Sequence, residues 1–426
     1  MGVIGLGYVG LPLALSVVEG GFSVLGFDND RSKVDALAAG RSYISHIEAN
    51  RLLAAAGGKR LQVTTDFSRL AEPDVIAICV PTPLTPQREP DMRFVVATAE
   101  AIRDALRAGQ LVILESTTYP GTTDGLLRAT LEQSGLQAGA DFFLAFSPER
   151  EDPGRQDLTT RTIPKLVGGI DPVSGDLAEA FYRAFVDTVV RVASARTAEA
   201  SKLTENIFRA VNIALVNELK IVYDRLGIDI WNVLDAAESK PFGFMRFNPG
   251  PGWGGHCVPI DPFYLTWKAR EIGVATRFIE LAGEVNVKMP DYVIEKLTAA
   301  LKDQGKALQG SRILLLGMAY KKNVDDTRES PAFEILARLL GRGAAVAYHD
   351  PFIPVAGKVR RHPELAGLSS LELTPETVKA QDAVVIVTDH DAVDYAMLAE
   401  SASLVIDTRG VMRKSAAHHA GRVVQA

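Results

Sequence analysis

Gly2-Val3-Ile4-Gly5-Leu6-Gly7-Tyr8-Val9-Gly10-Leu11-Pro12 carries the plainest sign of the fold. A short apolar strand, Val3–Ile4, runs into three glycines spaced G-x-G-x-x-G. A helical pattern, Leu11 to Glu19, comes immediately after. Gly5 permits a tight turn, Gly7 lets a ligand approach the backbone, and Gly10 lets the helix pack closely on the strand. The helix start then offers N–H groups and a positive dipole end to a phosphate. The next strand, Ser23 to Phe27, ends on Asp28, about twenty residues further on, where an acid can bind ribose hydroxyls. An acid there repels a 2′-phosphate, so the spacing predicts a dinucleotide site for NAD rather than NADP. The first strand is very short, which leaves open a start internal to a longer chain.

Working outward, Asp30 caps a helix through Leu37. Val75 to Val80, Leu111 to Leu114 and Phe142 to Ala145 are short apolar runs that read as buried strands. Between them lie stretches with helical period, Phe94 to Leu106 and Thr122 to Gln133. From Ala198 to Arg225 one helical pattern runs without Gly or Pro. Helical patterns return at Asp261 to Arg270 and from Thr276 to about Lys302, around the loop Pro249-Gly-Pro-Gly-Trp-Gly-Gly-His-Cys257. A second alternation closes the chain: Ile313–Gly317, Ala344 to Tyr348, Ala383 to Val387 and Leu404 to Ile406 as strands, and Pro331 to Leu340 as a helix. The expected fold class is α/β, two Rossmann-like doubly wound domains joined by a central helical domain with one long helix. The expected boundaries are 1–195, 196–305 and 306–426.

The chain has 426 residues, 47% of them hydrophobic, with a net charge of −6. An acidic field argues against nucleic acid or a membrane surface as partner. Two cysteines, Cys79 and Cys257, argue against a disulfide framework and point to the cytoplasm. No basic leader precedes the first strand, and no apolar run is long enough to span a membrane.

Cys79 lies within Val75-Ile-Ala-Ile-Cys-Val80 and reads as a small buried hydrophobe. Cys257 stands after two glycines and His256 and precedes Asp261 at a helix start, a setting that favours thiolate. Local sequence alone is equally compatible with a structural cysteine there. Lys202 and Asn206 are four apart, on one face of the long helix, where they could cradle a developing oxyanion or simply meet solvent. Glu149 and Glu151, in Phe146-Ser-Pro-Glu-Arg-Glu-Asp-Pro153, come after a strand end. Either carboxylate could activate water; a charged surface loop is the alternative.

Together these motifs resemble the UDP-glucose/GDP-mannose dehydrogenase family. The resemblance rests on Gly5-Leu-Gly-Tyr-Val-Gly-Leu-Pro12, Val80-Pro-Thr-Pro83, Glu115-Ser-Thr-Thr118, Lys202-Leu-Thr-Glu-Asn206, Gly254-Gly-His-Cys257, Gly317-Met-Ala-Tyr-Lys321 and Asp325-Asp-Thr-Arg-Glu-Ser-Pro331. It spans nearly the whole chain, in order. It implies oxidation of the C6 hydroxyl of a nucleotide sugar to a carboxylate, with two NAD molecules used in turn. Cys257 is implied to form a thiohemiacetal and then a thioester. Lys202 and Asn206 would support the oxyanion, Asp261 and Thr117 the catalytic water, and Glu149 or Glu151 would act as base. Gly5, Gly7, Tyr8, Val9, Gly10, Asp28, Lys33, Thr82, Thr117 and Arg328 match cofactor contacts. Glu149, Arg150, Lys202, Asn206, Arg246, Gly254 and Lys321 match substrate contacts, with Lys321 at the diphosphate. The third region corresponds to a UDP-binding domain, and the long helix to the core of a homodimer or higher homo-oligomer.

Two positions depart from the family pattern. Ile260 stands where many members carry a cofactor-touching lysine. Arg246 is shifted from the arginine that crosses the dimer to the sugar. The loop Pro249–Pro262, the run Phe146–Gly154 and the run Glu205–Ala214 look like the N-acetylhexosamine branch. UDP-N-acetylglucosamine is the expected substrate, with UDP-N-acetylmannosamine, UDP-N-acetylgalactosamine and UDP-glucose as alternatives. Two rival readings are a two-electron hydroxyacid dehydrogenase, which needs no cysteine, and a silent NAD-binding regulator, which needs no Lys202, Asn206, Cys257 or Asp261. The seven histidines, His256 included, show no zinc spacing, and no metal is expected. Asp389-His390-Asp391 reads as a helix-start loop.

Overall fold

The computed structural model describes residues 1–44, 47, 49–57, 60–85, 87–151, 159–255, 257–414 and 422–426. Two parallel-rich sheets carry the fold. The first comprises β1 (Gly2–Ile4), β2 (Val24–Phe27), β3 (Leu61–Thr64), β4 (Val75–Ile78), β5 (Leu111–Leu114), β6 (Phe143–Phe146), β7 (Lys165–Gly169) and β8 (Val189–Arg191). Their order is β3-β2-β1-β4-β5-β6-β7-β8, parallel throughout except for the antiparallel β6–β7 pair. The second comprises β9 (Arg312–Leu316), β10 (Ala345–His349), β11 (Ala383–Ile386), β12 (Val405–Asp407) and β13 (Val423–Gln425), all parallel, in the order β10-β9-β11-β12-β13. Strands covered on both faces need apolar residues throughout, and β4, β5 and β11 read that way in sequence. The α/β class with two such sheets and long helices in the middle of the chain is as expected.

Contacts group the chain into two compact units, Met1–Glu205 with Phe263–Ala275, and Asn206–Pro262 with Thr276–Ala426. The division cuts the long helix Ala195–Arg225 between Glu205 and Asn206. In the first unit the helix Gly10–Glu19 buries nine consecutive residues, Gly10 to Val18. In the second, the helix Arg277–Asp303 supplies Val293, Ile294, Leu297 and Leu301 to a core shared with Ile313, Leu315, Phe333 and Val385. That helix therefore belongs to the core of the second sheet. A buried amide pair joins it to the long helix, Asn217 Nδ2 donating to Asn286 Oδ1 at 2.8 Å.

Three differences from the sequence reading have local causes. The stretch expected as one helix from Thr122 is a wide π-type turn over Thr122–Leu127, a short α-helix Arg128–Leu131 and a 3₁₀ turn Glu132–Ser134. Gly121 enters it with φ +97°, and the Glu199 carboxylate takes the N–H groups of Gly121 and Thr123 at 2.6 and 2.9 Å. A helix Ile230–Glu238, capped by Asp229, lies in a segment that carries no expected element. Asp389-His390-Asp391 does not start a helix. Asp394 caps the next one, Tyr395–Ser401, and His390 is buried in the second sheet's loops.

Candidate active site

The carboxyl edge of the first sheet gathers the expected cofactor residues other than Arg328. β1, β4, β5 and β6 are consecutive neighbours, so the loops holding Gly5–Gly10, Thr82, Thr117 and Glu149 leave the same edge side by side. The chain changes direction across the sheet between β1 and β4, the switch point where open α/β sheets bind ligands. Gly5 has φ +90°, and a Cβ there would meet the Cys79 carbonyl oxygen at 2.6 Å. At Gly10 a Cβ would sit 1.9 Å from the Gly5 carbonyl oxygen. Gly7 alone of the three faces open space within 4 Å. The helix Gly10–Glu19 has no side-chain cap and no acid in its first turn. An uncapped helix start beside a glycine with nothing against it fits a dinucleotide pyrophosphate.

Asp28 is 5% exposed and already engaged. Its Oδ2 accepts the Leu6 N–H at 2.9 Å, its Oδ1 accepts the Asp30 N–H at 2.9 Å, and Lys33 Nζ lies 3.4 Å from Oδ2. Each carboxylate oxygen keeps acceptor capacity for a ribose hydroxyl. Cys79 is buried, as expected, and burial pushes its thiol well up.

The loop after β6 is an ionic junction. Lys165 Nζ, from the start of β7, donates to Glu115 Oε2 at 2.7 Å and to Glu149 Oε2 at 3.2 Å. Tyr182 donates to the other oxygen of Glu115. Glu149 Oε1 accepts the N–H groups of Arg150 and Glu151, both at 2.6 Å. Lys202 Nζ donates to the Glu149 carbonyl oxygen, and the Arg150 guanidinium pairs with Glu205. Burial opposes charge on Glu149, but Lys165 and these donors hold its carboxyl below the usual range. Burial and the Glu149 charge push Glu151 above it, and Thr160 donates to Glu151. The residues after Glu151, up to 158, lie outside the described residues.

A second group forms in the other unit. Asn206 Nδ2 donates to Asp261 Oδ2 at 2.6 Å, and both residues are buried. The Cys257 carbonyl accepts the N–H groups of Ile260 and Asp261 at 3.1 and 2.8 Å, which places the cysteine one turn before the helix Asp261–Glu271. Cys257 is partly exposed and forms no disulfide. Asn217 Oδ1 accepts the Gly250 N–H at 2.9 Å and holds the start of this loop. The Gly255 N–H donates to the Arg328 carbonyl at 3.0 Å, and a Cβ on Gly254 would meet Tyr320 at 2.9 Å and the Glu329 carbonyl at 3.0 Å. Packing against the Tyr320–Pro331 loop leaves no space for a side chain at these glycines. Glu329 adopts φ +49°, rare for a non-glycine residue.

The remaining candidates lie on loops of the second unit. Arg328 pairs with Asp326, Nη2 to Oδ2 at 2.6 Å. Arg246 Nη1 lies 2.8 Å from both Asp235 and Glu238 of its own chain. Lys321 is half-buried in the loop after β9. His256 lies outside the described residues, and among those described no three His, Cys, Asp or Glu side chains are grouped to hold a metal. No helix among them is long and apolar enough to cross a membrane. Sequence reasoning missed Lys165, Tyr182 and Glu199. Each lies in an otherwise ordinary strand or helix, and each bonds a residue at least fifty positions away.

Comparison with known proteins settles the family. Residues 1–186 match the NAD-binding domain of the UDP-glucose/GDP-mannose dehydrogenase family, residues 196–288 its central domain and residues 314–414 its UDP-binding domain. The chain belongs to this family. It is an NAD-dependent nucleotide-sugar dehydrogenase. A UDP-N-acetyl-D-glucosamine 6-dehydrogenase of Pseudomonas aeruginosa is 37% identical over 82% of this chain and 82% of its own length. A UDP-N-acetyl-D-mannosamine dehydrogenase of Methanococcus maripaludis is 33% identical over 99% of this chain and 95% of its own. The solved structure of a UDP-D-ManNAc dehydrogenase from Pyrococcus horikoshii superposes with a TM-score of 0.85 at 32% identity, covering 96% of this chain and 95% of that one. Membership in the family sets aside the reading as a silent NAD-binding regulator.

Proposed function

We propose that the chain oxidises the C6 hydroxyl of a UDP-N-acetylhexosamine to the carboxylate through a covalent adduct on Cys257. The domains act as a cofactor domain (1–195), a central helical domain (196–305) and a sugar-nucleotide domain (306–426). The observation that carries the reading is the contact of Asn206 with Asp261 at 2.6 Å, one helical turn from Cys257. An amide, a buried carboxylate and a thiol at a helix start suit an acyl-forming site.

When bound, oxidised NAD supplies a hydride acceptor, used once on the alcohol and once on the thiohemiacetal. The chain's own residues do the rest. Lys202 and Asn206 stabilise the negative charge on the C6 oxygen as its proton passes to the water held by Asp261 and Thr117 and the hydride leaves. The Cys257 thiolate adds to the aldehyde carbon, which turns a poor hydride donor into a tetrahedral one. After the second oxidation Asp261 and Thr117 orient a water, and Glu149 or Glu151 takes its proton as the thioester opens. Lys321 and Arg328 stand on loops of the second sheet, suited to the diphosphate and to cofactor.

UDP-N-acetylglucosamine is the favoured substrate, because the loop Pro249–Pro262 and the run Phe146–Gly154 carry the N-acetylhexosamine pattern and the 37% identical relative bears that name. UDP-N-acetylmannosamine is the second reading, favoured by the relatives and the structure that match almost the full chain. The test is a panel of UDP-sugars with NAD, with NADH counted per sugar consumed. Two NADH are expected, and Cys257→Ala is expected to release no uronate. One NADH per sugar, or full turnover by that variant, would falsify the covalent reading.

A further inference from the structure

Lys165 is 3% exposed, and its ammonium sits between two carboxylates from different strand ends. Nothing in the chemistry above uses it. A buried lysine is costly unless it is paired and hydrogen-bonded. Here Glu115, itself 1% exposed and held by Tyr182, takes one N–H, and Glu149 takes another. Glu115 thus acts as a counterweight that lets the cation remain charged beside Glu149.

We propose that Lys165 is a positioning residue for thioester hydrolysis: it fixes the Glu149 side chain. This rests on the covalent reading above. Glu149 hangs on three supports, with Oε2 on Lys165, Oε1 on the Arg150 and Glu151 N–H groups, and its carbonyl on Lys202. Among these, Lys165 supplies the full opposite charge at the carboxylate itself. The charged groups facing Glu149 are Lys165 from β7, Glu115 from the end of β5, Lys202 from the long helix and Glu151 from its own loop. Buried Cys79 and Tyr182 stand near Glu115. Without Lys165, Glu115 and Glu149 would repel, and one of them would take up a proton. In the step affected, the water oxygen bonds to the thioester carbon, the C–S bond to Cys257 breaks, and the water proton passes to carboxylate. A misplaced or protonated Glu149 slows that step and leaves both hydride transfers in place.

The test is Lys165→Met in the full enzyme with NAD and the preferred UDP-sugar. We expect turnover to fall about a hundredfold, the scale of lost acid–base assistance. We also expect a rapid burst of NADH, and an intact-mass adduct of the sugar nucleotide on Cys257. The acidic limb of the turnover profile should move to higher pH, because the loss of a neighbouring cation raises the Glu149 carboxyl. Lys165→Arg should restore most of the rate. If Lys165→Met does not fold, Lys165→Met with Glu115→Gln removes the repulsion and is expected to show the same burst and adduct. A uniform slowing of all steps, with no adduct and an unmoved pH limb, would overturn the proposal. Turnover by Cys257→Ala would instead overturn the covalent reading beneath it.

Discussion

Glu199 stands one turn before Lys202 on the long helix, and its carboxylate is fully buried. It accepts the Gly121 and Thr123 N–H groups at 2.6 and 2.9 Å and the Thr123 hydroxyl at 2.7 Å. Burial raises its carboxyl, the three donors lower it, and the balance leaves it at about 7 against an ordinary 4.5. A raised folded value means that the folded state holds its proton more tightly. The stability this brings is complete below pH 4.5 and is lost as pH rises through about 7. A shift of this size corresponds to about 3 kcal/mol. Glu199→Gln keeps an acceptor for the turn and removes the titration. Calorimetric unfolding measured across that pH window should therefore show stability declining for the natural chain and staying flatter for the variant. Equal slopes would show that Glu199 does not titrate there.

At the scale of elements, the long helix leaves a stripe uncovered. Phe208, Leu215 and Val222 recur at seven-residue spacing and are each about half exposed, at 47%, 51% and 46%. Seven residues are close to two helical turns, so the three lie in one line. A line of large apolar side chains on an acidic protein suits a second copy of the same helix, in keeping with the expected homodimer. For the dimer that this line predicts, Leu215→Glu should leave a monomer in light scattering behind size exclusion; a variant that elutes with the mass of the natural protein would place the interface elsewhere. The helix itself is legible in sequence, since so long a periodic run without Gly or Pro leaves little else. So are β1, β5 and β11, whose apolar runs have sharp ends. The helix Ile230–Glu238 escapes a sequence reading because it is short and comes soon after Gly227 without a break in composition. The turn after Gly121 is misread because its form depends on Glu199, a residue distant in sequence. The same limit governs the site. Glycines and a cysteine announce themselves locally, whereas the junction of Glu115, Glu149 and Lys165 exists only after three strands have paired.

Over the whole molecule, one device appears twice. In the first sheet Gly5, at φ +90°, donates its N–H to the Phe27 carbonyl, and Asp28 at the end of β2 accepts the Leu6 N–H. In the second sheet Gly317, at φ +88°, donates to the His349 carbonyl, and Asp350 at the end of β10 accepts the Met318 and Ala319 N–H groups at 2.6 and 2.9 Å. Each sheet thus anchors the loop after its first strand in chain order on an aspartate from the neighbouring strand. The two copies differ beyond that anchor. The first runs straight into the helix Gly10–Glu19, while the second opens into the loop that packs on Gly254 and Gly255. Asp350 also meets buried His390 at 3.1 Å. Burial opposes its charge, but His390 and the N–H groups hold its carboxyl below the ordinary range. The stability from this cluster is therefore present above the ordinary carboxylate range and lost as pH falls through the lowered folded value. Asp350→Ala leaves the His390 Nε2 donor and the N–H groups of Met318, Ala319, Phe352 and Ile353 without their acceptor, at a cost of about 1–3 kcal/mol for each buried donor left unpaired. That cost falls on the second unit alone. We expect the variant to lose its tertiary signal and sugar-nucleotide binding at lower temperature, while quenching of intrinsic fluorescence by NAD persists. Loss of NAD binding in step with sugar-nucleotide binding would mean that the two units unfold as one.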